Sequence, residues 1–344
     1  MSDKNTEQDT KFMKSAIKEA EKGIGCTSPN PSVGCVIVKK GKIIGRGYHR
    51  GAGGPHAEIE AIKNAKKTPI AGSTIYITLE PCSTHGKTPP CSNAIINGGF
   101  KRVVYGINDP DPRHQGNSMQ LLRKKGIDVT SGVLSESCHR IIRPFTKRLR
   151  TGLPWVLVKA GMSLDGRLTR PGNEGQWITN EKAIRDTQNL RAEVDAIIIG
   201  AQTLRKDDPR LTIREPMLLK RRKNQPKRVV LTRTGRLPKS AKIFTDEFRE
   251  NTIVYTNRSL NAVLKNLAAK HQCNSVMIEG GGKLIGNAIK RKLVDEVCLY
   301  FAPLICGQKC TPFADVKLSE SGSLSEIEFK SLDDNFRIRG TINS

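Results

Sequence analysis

Thr74-Ile75-Tyr76-Ile77-Thr78-Leu79 is a β-branched and aromatic run; Glu80-Pro81-Cys82 follows it, and after eight more residues Cys91 opens Cys91-Ser92-Asn93-Ala94-Ile95-Ile96-Asn97. The first run reads as a strand and the last as a helix, with Pro89-Pro90 suited to the helix start. Working outward, a helix is expected over His56–Lys66 and a strand over Arg102–Gly106. Helix Ser118–Lys125, strand Ile127–Thr130 and helix Ser135–Leu149 continue the alternation. Upstream, Phe12, Met13, Ala16, Ile17 and Ala20 fall at helical spacing within Gln8–Lys22. Val33–Val38 and Ile43–Tyr48 flank Lys39-Lys40-Gly41-Lys42 as a hairpin. Alternation of this kind predicts an α/β layer fold.

The pattern resets at Arg148-Leu149-Arg150-Thr151-Gly152-Leu153-Pro154, where Gly and Pro close a helix before Trp155–Ala160 opens a strand. The 344 residues therefore divide into domains 1–151 and 152–344. The second half gives strands at Ala196–Gly200, Val229–Thr232, Thr252–Thr256, Val276–Glu279 and Val297–Ala302. Helices Asn180–Glu193, Leu260–Lys270 and Lys283–Arg291 lie between them. Lys220, Arg221, Arg222, Lys223, Lys227 and Arg228 form a basic run that reads as a solvated loop.

Net charge is +25. Residues 1–151 carry 25 basic and 12 acidic side chains and the remainder 33 and 21, so no single tail accounts for the excess. Such a charge favours solubility and anionic ligands. Nucleic-acid readers interleave basic residues with stacking aromatics, whereas aromatics here are 5% and the basic run contains none, so no nucleic-acid partner is expected. No apolar run approaches the roughly 18 residues of a spanning helix, and the polar start lacks a signal-peptide core, so no membrane association is expected. Nine cysteines without such a signal point to a reducing compartment, the cytoplasm.

The chemistry concentrates in His56-Ala57-Glu58, Pro81-Cys82 and Cys91. One imidazole and two thiolates suit zinc, and three ligands leave a fourth position for water. Glu58 lies two residues from His56, placed to handle that water's protons rather than to ligate. This is the known zinc-deaminase signature. A structural zinc site with His85 as fourth ligand is the other reading of the same residues. Val276-Met277-Ile278-Glu279-Gly280-Gly281-Gly282 runs a strand into glycines and a helix, which suits a phosphate or merely a tight turn.

Thr27-Ser28-Pro29-Asn30-Pro31-Ser32-Val33-Gly34, Pro55-His56-Ala57-Glu58 and the segment from Thr78 to Cys91, with Gly86-Lys87-Thr88-Pro89-Pro90 between the cysteines, closely resemble the bifunctional deaminase/reductase family of riboflavin biosynthesis. Lys159–Arg167, Trp177-Ile178-Thr179, Leu190-Arg191-Ala192, Gly200–Thr203, Asp207–Arg214 and the Glu279 glycine segment resemble its reductase half. The resemblance implies a cytidine-deaminase-like three-layer αβα domain followed by a dihydrofolate-reductase-like α/β domain. It implies zinc-dependent deamination of a phosphorylated diaminopyrimidinone riboside, then NADPH-dependent reduction of its ribosyl chain to ribityl; a nucleic-acid-associated zinc deaminase of the RNA-editing type is the alternative. By resemblance, Asn30, His49 and Lys87 contact that substrate in the first domain. Gly161, Trp177, Thr203, Asp207 and Gly280, Gly281, Gly282, Lys283, Leu284, Ile285 and Gly286 form the NADPH site. Arg191, Leu211, Arg214 and Glu279 contact substrate, the arginines being suited to phosphate. Gly175 stands where the family commonly has a substrate-contacting Ser. A homo-oligomer is the expected assembly.

Overall fold

Strand residues here are apolar on both sides, so each sheet needs helices on both faces. The computed structural model describes residues 2–66, 68–83, 89–112, 116–172, 174–175, 177–222 and 224–343. It divides into two units, Met1–Thr151 and Gly152–Ser344.

The first unit contains α1 (Ser2–Glu21), β1 (Gly34–Lys39), β2 (Lys42–Tyr48), α2 (Ala57–Asn64), β3 (Thr74–Leu79), α3 (Cys91–Asn97), β4 (Arg102–Ile107), α4 (Asn117–Lys124), β5 (Asp128–Ser131) and α5 (Ser135–Thr151). Its sheet order is β2-β1-β3-β4-β5; β1 is antiparallel to β2 and β3, while β3, β4 and β5 are parallel. Cys35, Ile37, Ile75, Ile77, Val103 and Tyr105 pack with Ala57, Ala61, Ile95 and Leu122 of α2, α3 and α4. Val36, Val38, Tyr76 and Val104 alternate to the other face, against Phe12, Met13 and Ala16 of α1 and Cys138 of α5. The result is the three-layer αβα arrangement. Two glycines of β2 set the seating of α2. A Cβ at Gly45 would lie 2.4 Å from Ala61 O, and one at Gly47 would lie 2.3 Å from Ala57 O. Only glycine lets the helix that follows His56 rest directly on the strand.

The second unit contains β6 (Trp155–Ser163), α6 (Glu181–Glu193), β7 (Ala196–Gly200), α7 (Ala201–Asp207), α8 (Pro216–Arg221), β8 (Lys227–Thr232), α9 (Lys242–Thr245), β9 (Thr252–Thr256), α10 (Leu260–Ala269), β10 (Ser275–Glu279), α11 (Gly282–Lys290), β11 (Glu296–Ala302), β12 (Ser323–Leu332) and β13 (Asn335–Asn343). The strand order is β12-β13-β11-β6-β10-β7-β8-β9, parallel from β11 to β9 and antiparallel for the β12–β13 hairpin. Val156, Val158, Val276 and Ile278 face α10 and α11 through Val263, Leu264 and Ile285. Leu157, Ile197 and Met277 face α6 and α7 through Ala183, Leu190 and Leu204.

Three features depart from the sequence expectation. β6 continues to Ser163, which places Gly161 inside a strand. α7, α8 and α9 are short helices in segments without clear apolar periodicity. The terminal hairpin is also new. Its register shifts between Ser325 and Glu328, with Glu326 at φ +50, so β12 loses the strict alternation that would mark it. Ile327 and Phe329 of β12 are exposed.

Candidate active sites

In the first unit, His56 is the extended N-cap residue of α2, and Glu58, in the first turn, is buried. Cys82 follows the end of β3, and Cys91 is the first residue of α3. The Cys91 N–H donates to Cys82 Sγ at 3.2 Å, and the Ser92 N–H donates to the Cys82 carbonyl at 3.1 Å, so the start of α3 grips the loop that carries Cys82. His56 Nδ1 lies 3.2 Å from Cys91 Sγ and 3.6 Å from Cys82 Sγ. The three ligand atoms all fall within 4.8 Å of one another, close enough for one ion, and one nitrogen with two sulfurs is a zinc donor set.

The electrostatics agree with that set. Hydrogen bonding from the Cys91 thiol, with help from His56, holds the Cys82 thiol well below its usual range. Its bond to Cys82 and burial push the Cys91 thiol up. A divalent cation among them would favour the thiolate of both. His56 is raised by its bond to Cys82, and Glu58 is raised by burial and by the nearby Cys82.

Asn30 and His49 come together beside these groups. His49 Nδ1 lies 3.0 Å from the Pro55 carbonyl, which can only accept, so Nδ1 donates. Nε2 then accepts from the Asn30 amide at 3.1 Å, and burial lowers His49 toward its neutral form. The His49 and His56 rings meet edge to face with centroids 5.5 Å apart. Lys87 and His85 lie outside the described residues. Glu80, which the sequence reading passed over, is buried and accepts from the N–H groups of Asp109 (3.2 Å), Gly116 (2.9 Å) and Ser118 (3.3 Å) and from the Ser118 hydroxyl (2.8 Å). It ties the segment after β4 to the end of β3.

In the second unit, the candidates gather at the C-terminal ends of parallel strands, where open α/β sheets bind ligands. Gly280 and Gly281 adopt φ +110 and +84 between β10 and α11, a region that favours glycine. A Cβ at Gly281 would lie 3.3 Å from Thr203 Oγ1, so Thr203 of α7 borders the turn. Gly282 and Gly286, with Lys283, Leu284 and Ile285 between them, form the first turns of α11. A Cβ at Gly282 would lie 2.2 Å from the Pro312 carbonyl, and one at Gly286 would lie 2.8 Å from Val316, so both are close approaches. Gly161 sits on β6, where a Cβ would meet Thr179 at 3.0 Å. Asp207 closes α7, while Trp177 lies 68% exposed on the segment after β6.

Glu279 ends β10 and is paired in register with Lys159 of β6. Its carboxylate takes both arms of Arg191, at 2.8 Å and 3.1 Å, with Lys159 Nζ at 3.7 Å. Burial works to raise the Glu279 carboxyl, but Arg191 and Lys159 outweigh it and hold the group below its usual range. Burial pushes the Lys159 ammonium down against the pull of Glu279. A lysine within Trp155-Val156-Leu157-Val158-Lys159-Ala160 was the signal that could have singled out this residue, because lysine is rarely buried unpaired. The remaining Arg191 nitrogen donates to the Thr212 carbonyl at 3.0 Å, so its guanidinium is committed within the protein. Arg214 is different: it is exposed, and no carboxylate pairs with it among the described residues. Leu211 is buried with φ +53. Gly175 has φ +91, a backbone that a Ser would adopt only under strain, with nothing within 4 Å of its Cβ position.

The basic run corrects its sequence reading. Arg222 is buried and donates to the carbonyls of Ala192 (3.0 Å) and Val194 (2.7 Å) at the end of α6. Arg228 is fully buried and paired with Asp246 at 2.6 Å.

The chain matches the family described as RibD C-terminal domain over residues 154–335. Residues 6–107 match the cytidine and deoxycytidylate deaminase zinc-binding region. It is 38% identical to riboflavin biosynthesis protein RibD of Escherichia coli over 327 residues, 87% of this chain and 89% of that one. Identity to RibD of Buchnera aphidicola is 37%, over 94% of each chain. Among solved structures, Acinetobacter baumannii RibD superposes with TM-score 0.88 at 34% identity, covering 98% of this chain and 100% of that one. The Thermotoga maritima diaminohydroxyphosphoribosylaminopyrimidine deaminase/5-amino-6-(5-phosphoribosylamino)uracil reductase superposes with TM-score 0.87 at 34% identity, covering 98% and 99%.

Proposed function

This chain belongs to the RibD family of riboflavin biosynthesis, and on that premise we propose that its two units act in series on one phosphorylated pyrimidine. The protein is a zinc-dependent deaminase and an NADPH-dependent reductase. The substrate assigned to the first unit is the diaminohydroxyphosphoribosylaminopyrimidine named for the Thermotoga relative, and the second unit takes the deaminated aminouracil. One observation carries the reading: His56, Cys82 and Cys91 converge within 4.8 Å, and buried Glu58 lies in the first turn of the helix that His56 caps.

His56, Cys82 and Cys91 would hold the zinc, which when bound supplies the Lewis acidity that activates water near neutral pH. Glu58 takes a proton from the attacking water and gives one to the departing amine; a carboxyl raised by burial suits both duties. His49, with both ring nitrogens engaged, fixes the Asn30 amide as a polar contact for the pyrimidine, and Lys87 is a further substrate contact. In the second unit, NADPH supplies the hydride when bound. Gly280 and Gly281 allow backbone N–H groups at the start of α11 to approach its phosphates, with Gly161, Trp177, Thr203, Asp207 and residues 282–286 completing that site. Arg214 is the residue to meet the substrate phosphate, beside Leu211. Arg191 serves by holding Glu279 ionised and in place. No helix among the described residues is long and apolar enough to cross a membrane. Thiolate ligation by Cys82 and Cys91 supports a reducing, cytoplasmic setting, and the exposed Ile327 and Phe329 of β12 support a homo-oligomer.

Incubating the protein with the diamino substrate, and following ammonia and NADPH absorbance separately, tests the series. Ammonia release without NADPH is expected, and chelating the zinc should stop both signals. NADPH oxidation that precedes ammonia release would reverse the proposed order.

A further inference from the structure

Residues 210–214 belong to no helix or strand, yet Leu211, Thr212 and Ile213 are buried. Buried peptide groups must find partners, and here the partners are side chains. The Arg210 carbonyl accepts from Arg228 at 3.2 Å, and the Thr212 carbonyl accepts from Arg191 at 3.0 Å. The Ile213 N–H donates to Gln225 Oε1 at 2.7 Å, while the Ile213 carbonyl accepts from Gln225 Nε2 at 2.9 Å. The Arg214 N–H donates to Gln188 Oε1 at 2.8 Å. Gln225 thus offers one acceptor and one donor to a single residue, as a neighbouring strand would. Between these clamps Leu211 holds φ +53, a left-handed backbone that a bulky residue keeps only where its surroundings over-determine it.

The clamps share a foundation. Gln188 and Arg191 lie on α6, whose last carbonyls are held by Arg222. Gln225 and Arg228 follow Arg222 in the run that reads from sequence as a solvated basic loop. Arg222 and Arg228 of that run turn inward and supply scaffolding.

We infer that Gln225, together with Gln188, is a positioning residue for the reductase, holding the backbone of Ile213 and Arg214 so that Leu211 and the Arg214 guanidinium meet the phosphorylated substrate. The inference rests on the reading that Leu211 and Arg214 contact substrate. Side-chain amides here perform the alignment that strand pairing performs elsewhere in the unit, and neither glutamine touches the substrate.

Gln225→Met keeps the length of the side chain and removes both hydrogen bonds. In the full-length enzyme supplied with deaminated substrate, it should raise the KM for that substrate about tenfold. The KM for NADPH should stay within about twofold, and ammonia release from the diamino substrate should not change. Gln188→Met should shift the same constant in the same direction. Combined with Arg214→Ala, Gln225→Met should raise the KM by clearly less than it does in wild type, because the part of its effect that runs through Arg214 is already lost. If Gln225→Met reduces folding, Gln225→Glu, which keeps the acceptor for the Ile213 N–H, should give an intermediate KM. A substrate KM unmoved by Gln225→Met while Arg214→Ala raises it would overturn the inference, as would effects of the two that multiply. An Arg214→Ala enzyme with unchanged substrate KM would instead remove Arg214 from the substrate site; a raised KM in Gln225→Met would then still support positioning through Leu211, and an unchanged one would end it.

Discussion

The two sites are built differently. In the first unit, the zinc ligands, Glu58 and His49 sit at or near the ends of regular elements: His56 caps α2, Glu58 lies in its first turn, Cys91 opens α3, Cys82 follows β3 and His49 follows β2, while Asn30 reaches His49 from the turns before β1. Backbone N–H groups and packing of helices on the sheet set their positions. In the second unit, the glycine turn follows the same rule, but segment 210–214, proposed above to meet the substrate, does not. It is irregular, and side chains from α6 and from the 222–228 segment hold it. A site built on element ends depends on a few local residues. A site built on a clamped segment spreads its dependence over residues that never meet the substrate.

The largest expected effect breaks the first site alone. Glu58→Gln keeps the size of the side chain and removes its proton chemistry, so ammonia release should fall by roughly 10²–10⁴-fold. Metal analysis should still find zinc bound, since Glu58 is not one of the three converging ligands. Gly282→Ala probes the element-end part of the second site. The added Cβ would fall 2.2 Å from the Pro312 carbonyl and push α11 away, so kcat/KM for NADPH should drop by about a hundredfold. Steady-state rates with each substrate should show ammonia release untouched.

Asp246→Ala attacks the clamped part through its foundation. It strips the carboxylate from fully buried Arg228, and breaking such a pair should cost roughly 3–5 kcal/mol in a denaturant titration of the second unit. The smallest effect concerns pH. Burial works to raise Asp186, but Lys330, Tyr300 and Arg337 outweigh it and hold the carboxyl below its usual range. A depressed folded value adds stability above the unfolded value of about 3.9, and that stability is lost as pH falls below it. The stability gap between wild type and Asp186→Asn should therefore be widest near neutrality and shrink in acid, read from melting curves at successive pH values.

The same contrast explains what the sequence made legible. His56, Glu58, Cys82 and Cys91 could be read because metal and proton chemistry restrict residue type as well as spacing, and the α/β alternation followed from apolar runs broken by Gly and Pro. Gly280 to Gly282 could be suspected for their conformational freedom, though a tight turn reads the same. Gln188 and Gln225 left no mark: a glutamine clamping a peptide group looks in sequence like any surface amide. Arg222 and Arg228 misled for the same reason, since a cluster of charges does not reveal which of them find buried carbonyls. The β12–β13 hairpin was hidden by the register shift that breaks its alternation. Where partners are distant in sequence and lack periodicity, only the folded arrangement identifies them.

Two separate chemistries in two units are tested most directly by the NADPH oxidation rate of Glu58→Gln enzyme supplied with deaminated substrate. That rate should stay within about twofold of wild type while ammonia release from the diamino substrate is lost. A folded, zinc-loaded variant that loses both activities together would contradict that separation.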